Sequence, residues 1–249
     1  MTKVFVHGNP ETDSIWRPLA RELSSRGITD VVLLSPPGFG APAPDGWGGT
    51  QKEYRDWLLG QLRGIDGPVD LVGHDWGAGH VYGVLAAEPG IVRTWAADCA
   101  GLLHPDYVWH DAARTWQAPG DGEQSVEGLV SMGADGFAAV FGALGMGDEV
   151  ARSVAAHVND GMARCILSLY RSAAQPAMSR LGEAFRAAAP ARGLVVIAEN
   201  DHFAGTEQMH SEVADWVGAG TAHLPGVGHW WMTENPAAAA DVLTAHWSA

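Results

Sequence analysis

Six short apolar runs alternate with helical patterns along most of the chain. The runs have the length of buried strands and lie at Val4 to Val6, Val31 to Leu34, Val69 to Val72, Ile91 to Ala97, Leu194 to Ala198 and Thr221 to Leu224. Helical patterns fall at Thr12 to Arg26, Gln51 to Leu62, Trp76 to Ala87 and Ala237 to Trp247. Strands that alternate with helices form a mostly parallel sheet covered on both faces. We therefore predict an α/β fold built on about six strands.

The alternation stops between the fourth and fifth runs. Residues 102–191 are rich in Gly and Ala, have helical patterns and contain no convincing strand. We predict that residues 1–101 and 192–249 form the α/β core and that residues 102–191 are inserted as a helical cap.

Charge and composition exclude several classes of function. The chain has 15 Lys and Arg residues against 29 Asp and Glu residues, for a formal net charge of −14. This is the wrong sign for binding nucleic acid or an anionic membrane. The two cysteines, Cys99 and Cys165, have neither a metal spacing nor the density of a disulfide scaffold. We expect no metal, no cofactor and, since no signal peptide or apolar span is visible, a cytoplasmic protein; the oligomeric state stays open.

The most specific motif is Gly73-His74-Asp75-Trp76-Gly77, between the strand that ends at Val72 and a helix that begins at Trp76. Gly-x-nucleophile-x-Gly in that setting is a nucleophile elbow, in which the glycines leave room for a strained turn that raises the central side chain. Asp75 stands at the centre. Asp in a Gly-rich turn is also an ordinary turn former, so the motif alone leaves both interpretations open.

Other polar segments follow the predicted strands at the edge where α/β sheets build their sites. The first strand leads into His7-Gly8-Asn9-Pro10, where the backbone N–H of Asn9 can join that of Trp76 in an oxyanion hole. Asp201 follows the fifth strand, and His229, between Gly228 and Trp230, follows the sixth. The order nucleophile, acid, histidine is that of an α/β-hydrolase triad.

Together these motifs resemble the α/β-hydrolase superfamily over nearly the whole chain, and within it the Asp-nucleophile branch of epoxide hydrolases and haloalkane dehalogenases. The resemblance implies Asp75 as nucleophile, His229 as base and Asp201 as the acid that orients it, with a helical cap above them. Asp98, at the end of the fourth strand, is the alternative acid, because some dehalogenases place their carboxylate there. His7-Gly8 comes so early that the first two strands of the usual fold are missing.

A carboxylate nucleophile suits displacement at saturated carbon. It forms an ester, whose carbonyl can be attacked by a water that His229 activates, whereas Ser would form an ether that water does not cleave. The oxyanion of that second step would rest on the backbone N–H groups of Asn9 and Trp76. We therefore expect a small apolar organic substrate with water as co-substrate, rather than an esterase. The 11 Trp residues, against 6 Phe and 4 Tyr, predict a pocket partly walled by Trp.

The leaving group of the reaction can be either an epoxide oxygen or a halide. An epoxide oxygen needs a proton donor, commonly paired Tyr hydroxyls on the cap in this family, and only Tyr107 and Tyr170 fall in the inserted segment. Tyr170 resembles the second cap tyrosine of epoxide hydrolases, and Tyr107 is a poorer match. Asn9 with Trp76 resembles the pair that holds halide in many dehalogenases. We predict an epoxide hydrolase, with a haloalkane dehalogenase as the alternative and a ligand-binding protein without catalysis as a third interpretation.

Overall fold

The computed structural model describes all residues, 1–249. The strands are β1 (Thr2–Val6), β2 (Val31–Leu34), β3 (Val69–Gly73), β4 (Thr94–Ala97), β5 (Arg192–Ala198) and β6 (Gly220–Leu224). The α-helices are α1 (Arg17–Ser25), α2 (Gln51–Arg63), α3 (Trp76–Ala87), α4 (Asp111–Gln117), α5 (Asp121–Ser131), α6 (Gly133–Phe141), α7 (Asp148–Ala155), α8 (Asp160–Ser172), α9 (Ala177–Ala188), α10 (Glu207–Trp216), α11 (Trp231–Glu234) and α12 (Pro236–Ser248). Short helical turns cover Asp13–Trp16, Ala100–Leu103 and Gly142–Met146.

The strands form one sheet in the order β2-β1-β3-β4-β5-β6, and every neighbouring pair is parallel. Val4 in β1 lies between Val32 and Leu71 of the adjacent strands. β3 is buried along its whole length because helices cover both faces of the sheet. The predicted α/β fold with a six-stranded parallel sheet is confirmed.

Two predicted boundaries are wrong for local reasons. The fourth strand begins at Thr94 instead of Ile91, because the chain turns at Pro89-Gly90 and the Ile91 N–H bonds back to the Glu88 carbonyl at 3.1 Å. The first predicted helix divides into the turn at Asp13–Trp16 and then α1, with Pro18 in the first turn of α1, where its missing N–H costs nothing.

The segment between β4 and β5 consists of helices and connecting loops and contains no strand. Its last helix, α9, packs against α3 on the sheet, where the Phe185 ring lies 5.2 Å from Tyr82 and 5.7 Å from Trp95. Gly182 of α9 lies so close to the Leu103 carbonyl that a Cβ there would come within 2.3 Å of the oxygen. We therefore propose that the cap consists of the helices up to α8 and that α9 belongs to the core. None of the helices, taken singly, has the length and apolar character that crossing a membrane requires.

Candidate active site

The turn between β3 and α3 holds Asp75 in a backbone conformation that side chains rarely adopt. Its φ is 52° and its ψ is −122°, in the positive-φ region where backbone strain is stored. The turn passes directly against β1: a Cβ at Gly77 would lie 2.2 Å from the Val6 carbonyl oxygen. The spacing of the glycines thus permits a strained turn that raises Asp75 above the carboxyl end of the sheet, as the elbow motif predicts.

Backbone N–H groups surround the Asp75 carboxylate. The Asn9 N–H donates to Oδ1 at 2.7 Å, and the Trp76 N–H also faces the carboxylate. Gly8 must be glycine here, because a Cβ would lie 2.0 Å from the same oxygen. Burial raises the pKa of Asp75 to about 6, although the charge of His229 opposes the rise. The two N–H groups expected in an oxyanion hole therefore both lie at one carboxylate.

His229 lies between two carboxylates. Its Nδ1 bonds to Oδ2 of Asp201 at 2.8 Å, and its Nε2 lies 3.8 Å from Oδ2 of Asp75. Asp201 is itself held by the Phe203 N–H, which donates to Oδ1 at 2.9 Å. Burial lowers the pKa of His229, but the charge and hydrogen bond of Asp201 together with the charge of Asp75 outweigh burial and raise the pKa to about 9. The structure thus brings the three residues of the predicted triad together, with His229 between Asp201 and Asp75.

Asp98, the alternative acid, bonds to a different histidine. Its Oδ2 pairs with Nδ1 of His74 at 2.5 Å and accepts a bond from the Trp231 indole N–H at 2.7 Å. Its Oδ1 accepts the Asp75 N–H at 2.9 Å. Because Asp98 supports the elbow and makes no bond to His229, the geometry favours Asp201 as the acid.

A buried carboxylate lies on the other side of His74. Glu11 pairs with Nε2 of His74 at 3.1 Å and accepts bonds from the Gly8 N–H at 2.8 Å and the Trp230 indole at 2.6 Å. Burial lowers the pKa of His74, but the charges of Asp98 and, to a smaller extent, Glu11 raise it well above its usual value. Burial would raise the pKa of Glu11, but the charge of His74 helps to hold it at about 2. An imidazolium between two carboxylates therefore joins the loop after β1, the elbow and the histidine loop.

A cavity of about 190 Å³ opens above these groups. Asp75 and His229 both line it. Most of the remaining wall is apolar or aromatic and includes Trp116, Phe141, Tyr170, Phe203 and Trp230. Trp side chains thus contribute to the wall, as the composition predicts.

The two tyrosines of the inserted segment have different positions. Tyr170 is 3% exposed and lines the cavity, with the side chains of Asn9 and Trp76 beside its hydroxyl; burial raises its pKa. The side-chain amide of Asn9 also lines the cavity, and neither its nitrogen nor its oxygen has a hydrogen-bond partner. Tyr107, expected at the substrate, does not line this cavity, because its hydroxyl instead donates to the Phe203 carbonyl at 2.8 Å.

Two groups of side chains bring potential metal ligands within 4.8 Å of one another. They are Glu11 with His74 and His229, and Cys99 with Asp201 and His229. In both groups imidazole nitrogens are already hydrogen-bonded to carboxylates. This pairing explains the clusters without a metal ion.

Comparison with known proteins gives the family. The model of the alpha/beta hydrolase family matches residues 4–242. The chain belongs to this family. We found no match to this hydrolase among curated protein sequences.

Solved structures share the fold of this hydrolase at low identity. A loop variant of a haloalkane dehalogenase from Bradyrhizobium elkanii is 20% identical with a TM-score of 0.74, covering 99% of this chain and 90% of the other. E-2-(acetamidomethylene)succinate hydrolase is 18% identical (TM-score 0.72; 100% and 91% covered). A thioesterase domain from the curacin biosynthetic pathway is 15% identical (TM-score 0.70; 98% and 90% covered). These similarities show the fold of the chain. Because the three proteins are named for different reactions, the reaction of this chain has to be inferred from its own site.

Glu11 and His74 support this site, and the sequence did not predict that role. Glu11 directly follows the His7-Gly8-Asn9-Pro10 motif, and His74 stands inside the elbow motif, directly before Asp75. An ionisable residue in a loop that must be buried needs a partner of opposite charge. That requirement is the signal that would have paired Glu11 with His74.

Proposed function

We propose that this alpha/beta hydrolase opens epoxides to diols through a covalent ester on Asp75. The observation that carries the proposal is the position of Tyr170, whose side chain lines the same cavity as Asp75 and His229. An epoxide oxygen leaves as a basic alkoxide and needs a proton, and a tyrosine hydroxyl is a donor that stays protonated near neutral pH.

In the first step Oδ2 of Asp75 attacks an epoxide carbon and the ring C–O bond breaks. The departing oxygen takes its electron pair and receives the Tyr170 proton, which leaves a hydroxyl on the alkyl ester. Oδ1 remains on the Asn9 N–H and becomes the ester carbonyl oxygen. A well-placed general acid contributes about 10²–10⁴-fold to such a step.

In the second step His229 takes a proton from water, and the hydroxide attacks Cγ of the Asp75 ester. The resulting oxyanion lies on the N–H groups of Asn9 and Trp76, each such donor being worth roughly 2.7–4 kcal/mol in other hydrolases. Esterification removes the negative charge of Asp75, which is one of the causes that raise the pKa of His229. The pKa therefore falls, and a larger fraction of the rings is neutral and free to accept the proton from water. When the tetrahedral intermediate collapses, the bond between Cγ and the alkyl oxygen breaks, the departing alkoxide takes the proton of the new Cγ hydroxyl, and the diol leaves Asp75 as a carboxylate. Asp201 stabilises the imidazolium until His229 returns its proton to the Tyr170 oxygen.

Trapping the ester tests the proposal. His229→Gln keeps a side chain of similar size but cannot take a proton, so incubation with a panel of epoxides is expected to leave a stable adduct on the Asp75 peptide, detected by mass spectrometry. The double variant Asp75→Ala/His229→Gln is the control and is expected to gain no mass. Tight ligand binding without any adduct would contradict the proposal and favour a binding protein.

The amide of Asn9 supports haloalkane dehalogenation as the second candidate. It is 5% exposed, lacks a partner and lines the cavity, and Asn9 and Trp76 both lie beside Tyr170. In this second candidate the Asn9 amide and the Trp76 indole N–H would hold the halide. A pair of variants separates the reactions. Tyr170→Phe is expected to slow epoxide opening by about 10²–10⁴-fold and leave dehalogenation nearly unchanged. Asn9→Ala, which keeps the backbone N–H, is expected to impair dehalogenation more than epoxide opening.

A further inference from the structure

Phe203 lies between two cavities. The catalytic cavity of about 190 Å³ is adjoined by an outer cleft of about 600 Å³, and the only residues that line both are His110 and Phe203. The two rings lie 5.4 Å apart, and the Phe203 ring also lies 5.2 Å from His229. This pair of rings therefore forms the wall between the reacting groups and the cleft.

The backbone of Phe203 is held at both of its polar groups. Its N–H donates to Asp201 at 2.9 Å, and its carbonyl accepts the Tyr107 hydroxyl at 2.8 Å. The residue is nevertheless 38% exposed, although its side chain is large and apolar. These two bonds fix the backbone of Phe203 relative to Asp201, so the ring projects into the wall from a held position.

His110 is the fixed member of the pair. It caps the N-terminus of α4, where its Nδ1 accepts the Ala113 N–H at 3.3 Å. Burial lowers the pKa of His110 to about 4, so the ring is neutral at physiological pH. His110 therefore joins the wall as a neutral ring held at the start of α4.

The two spaces differ in chemistry. The catalytic cavity is mostly apolar, whereas carboxylates line the outer cleft, among them Asp106, Glu199 and Glu207. An alkyl chain that outgrows the catalytic cavity in this direction meets the Phe203 ring. We infer that Phe203 sets the upper length of the alkyl chain that the site accepts, and that Tyr107 is the positioning residue that holds it there. This inference deepens the proposed function, because it names short apolar epoxides as the substrate class.

Equilibrium binding tests the length limit without turnover. Straight-chain primary amides, from propanamide to decanamide, suit the site because the carbonyl can accept from Asn9 or Tyr170 and the NH₂ can donate to Asp75. Calorimetry on the wild type is expected to show affinity rising about fourfold per methylene and then reaching a plateau when the cavity is full. In Phe203→Ala the rise is expected to continue through longer amides, and in Phe203→Leu to extend less far.

Phe141→Ala is the matched control. It removes the same ring from the wall of the catalytic cavity, but Phe141 does not line the outer cleft, so the plateau is expected to remain. A plateau at the wild-type length in both Phe203 variants, or the absence of amide binding, overturns the inference. A released length limit in a protein that turns over no epoxide would keep the inference and refute the proposed function.

Discussion

Glu11→Gln is the sharpest test of the charged cluster beneath the site. The substitution keeps the side-chain shape but replaces one acceptor oxygen with an NH₂ group. Glu11 is fully buried, pairs with His74 and accepts N–H bonds from Gly8 and Trp230. The single oxygen of glutamine can accept from Gly8 or from Trp230, so its NH₂ group faces the other buried N–H donor. Removing one partner of a buried ion pair costs 3–5 kcal/mol, and because Asp98 still faces His74 we expect about 3 kcal/mol.

Urea unfolding followed by circular dichroism measures this loss. Glu22→Gln is the control, because Glu22 forms an exposed pair with Arg26 at 2.8 Å whose removal is expected to cost less than about 1 kcal/mol. A loss for Glu11→Gln no larger than that of the control would refute the reasoning, since it would show that the buried pair is not formed.

The same cluster predicts a pH window. The pKa of Glu11 is lowered from 4.5 to about 2, so its contribution to stability is complete above 4.5 and is lost as the pH falls toward 2. The pKa of His74 is raised above 6.5, so its contribution is complete below 6.5 and is lost as the pH rises through the raised pKa. The stability difference between wild type and Glu11→Gln is therefore expected to be largest between 4.5 and 6.5 and to shrink at lower pH.

Three further perturbations test the elbow, the helix α2 and the Asp75 carboxylate. Gly8→Ala is expected to abolish turnover, because its Cβ would lie 2.0 Å from Oδ1 of Asp75; normal rates would contradict this geometry. Gly60→Ala in α2 has nothing within 4 Å of the new Cβ and is expected to raise the free energy of unfolding by about 0.5–1 kcal/mol in urea titrations. Burial raises the pKa of Asp75 to about 6, and the proposed nucleophile is its carboxylate form. The rate of ester formation, measured by rapid quench, should therefore increase as the pH rises through that value; a flat profile would argue against an Asp nucleophile.

The sheet was predictable because its strands are short apolar runs separated by clear helices, and the carboxyl ends of parallel strands gather loops that are distant in sequence. That rule suffices to bring Asp75, Asp201 and His229 together. Their catalytic roles stay predictions. The end of the cap was less predictable, because α9 has the same helical pattern as its neighbours. Only the packing of its Phe185 against Tyr82 and Trp95 shows that it lies on the sheet.

The two tyrosines show where local sequence stops being informative. Both lie in the inserted helical segment. The resemblance to epoxide hydrolases favours Tyr170 over Tyr107, but periodicity and composition do not show which of the two side chains faces the cavity. Tyr170 lies on α8 and lines the cavity, whereas Tyr107 lies in the loop before α4 and bonds to Phe203. Such a difference arises from how helices pack over the sheet, which depends on contacts far apart in the chain.

The close approach of Gly182 to Leu103 has an evolutionary consequence. The helices α4 to α8 leave the body of the protein near Leu103 and return to it just before α9, so their two ends lie beside each other. Doubling the length of a flexible connection between neighbouring points adds only about 0.6 kcal/mol of closure entropy. Exchange of this segment by recombination for a shorter or longer one would therefore cost little closure entropy. Such exchanges would replace Tyr170 and much of the cavity wall while Asp75, Asp201 and His229 stay in place, so one core could come to act on different substrates.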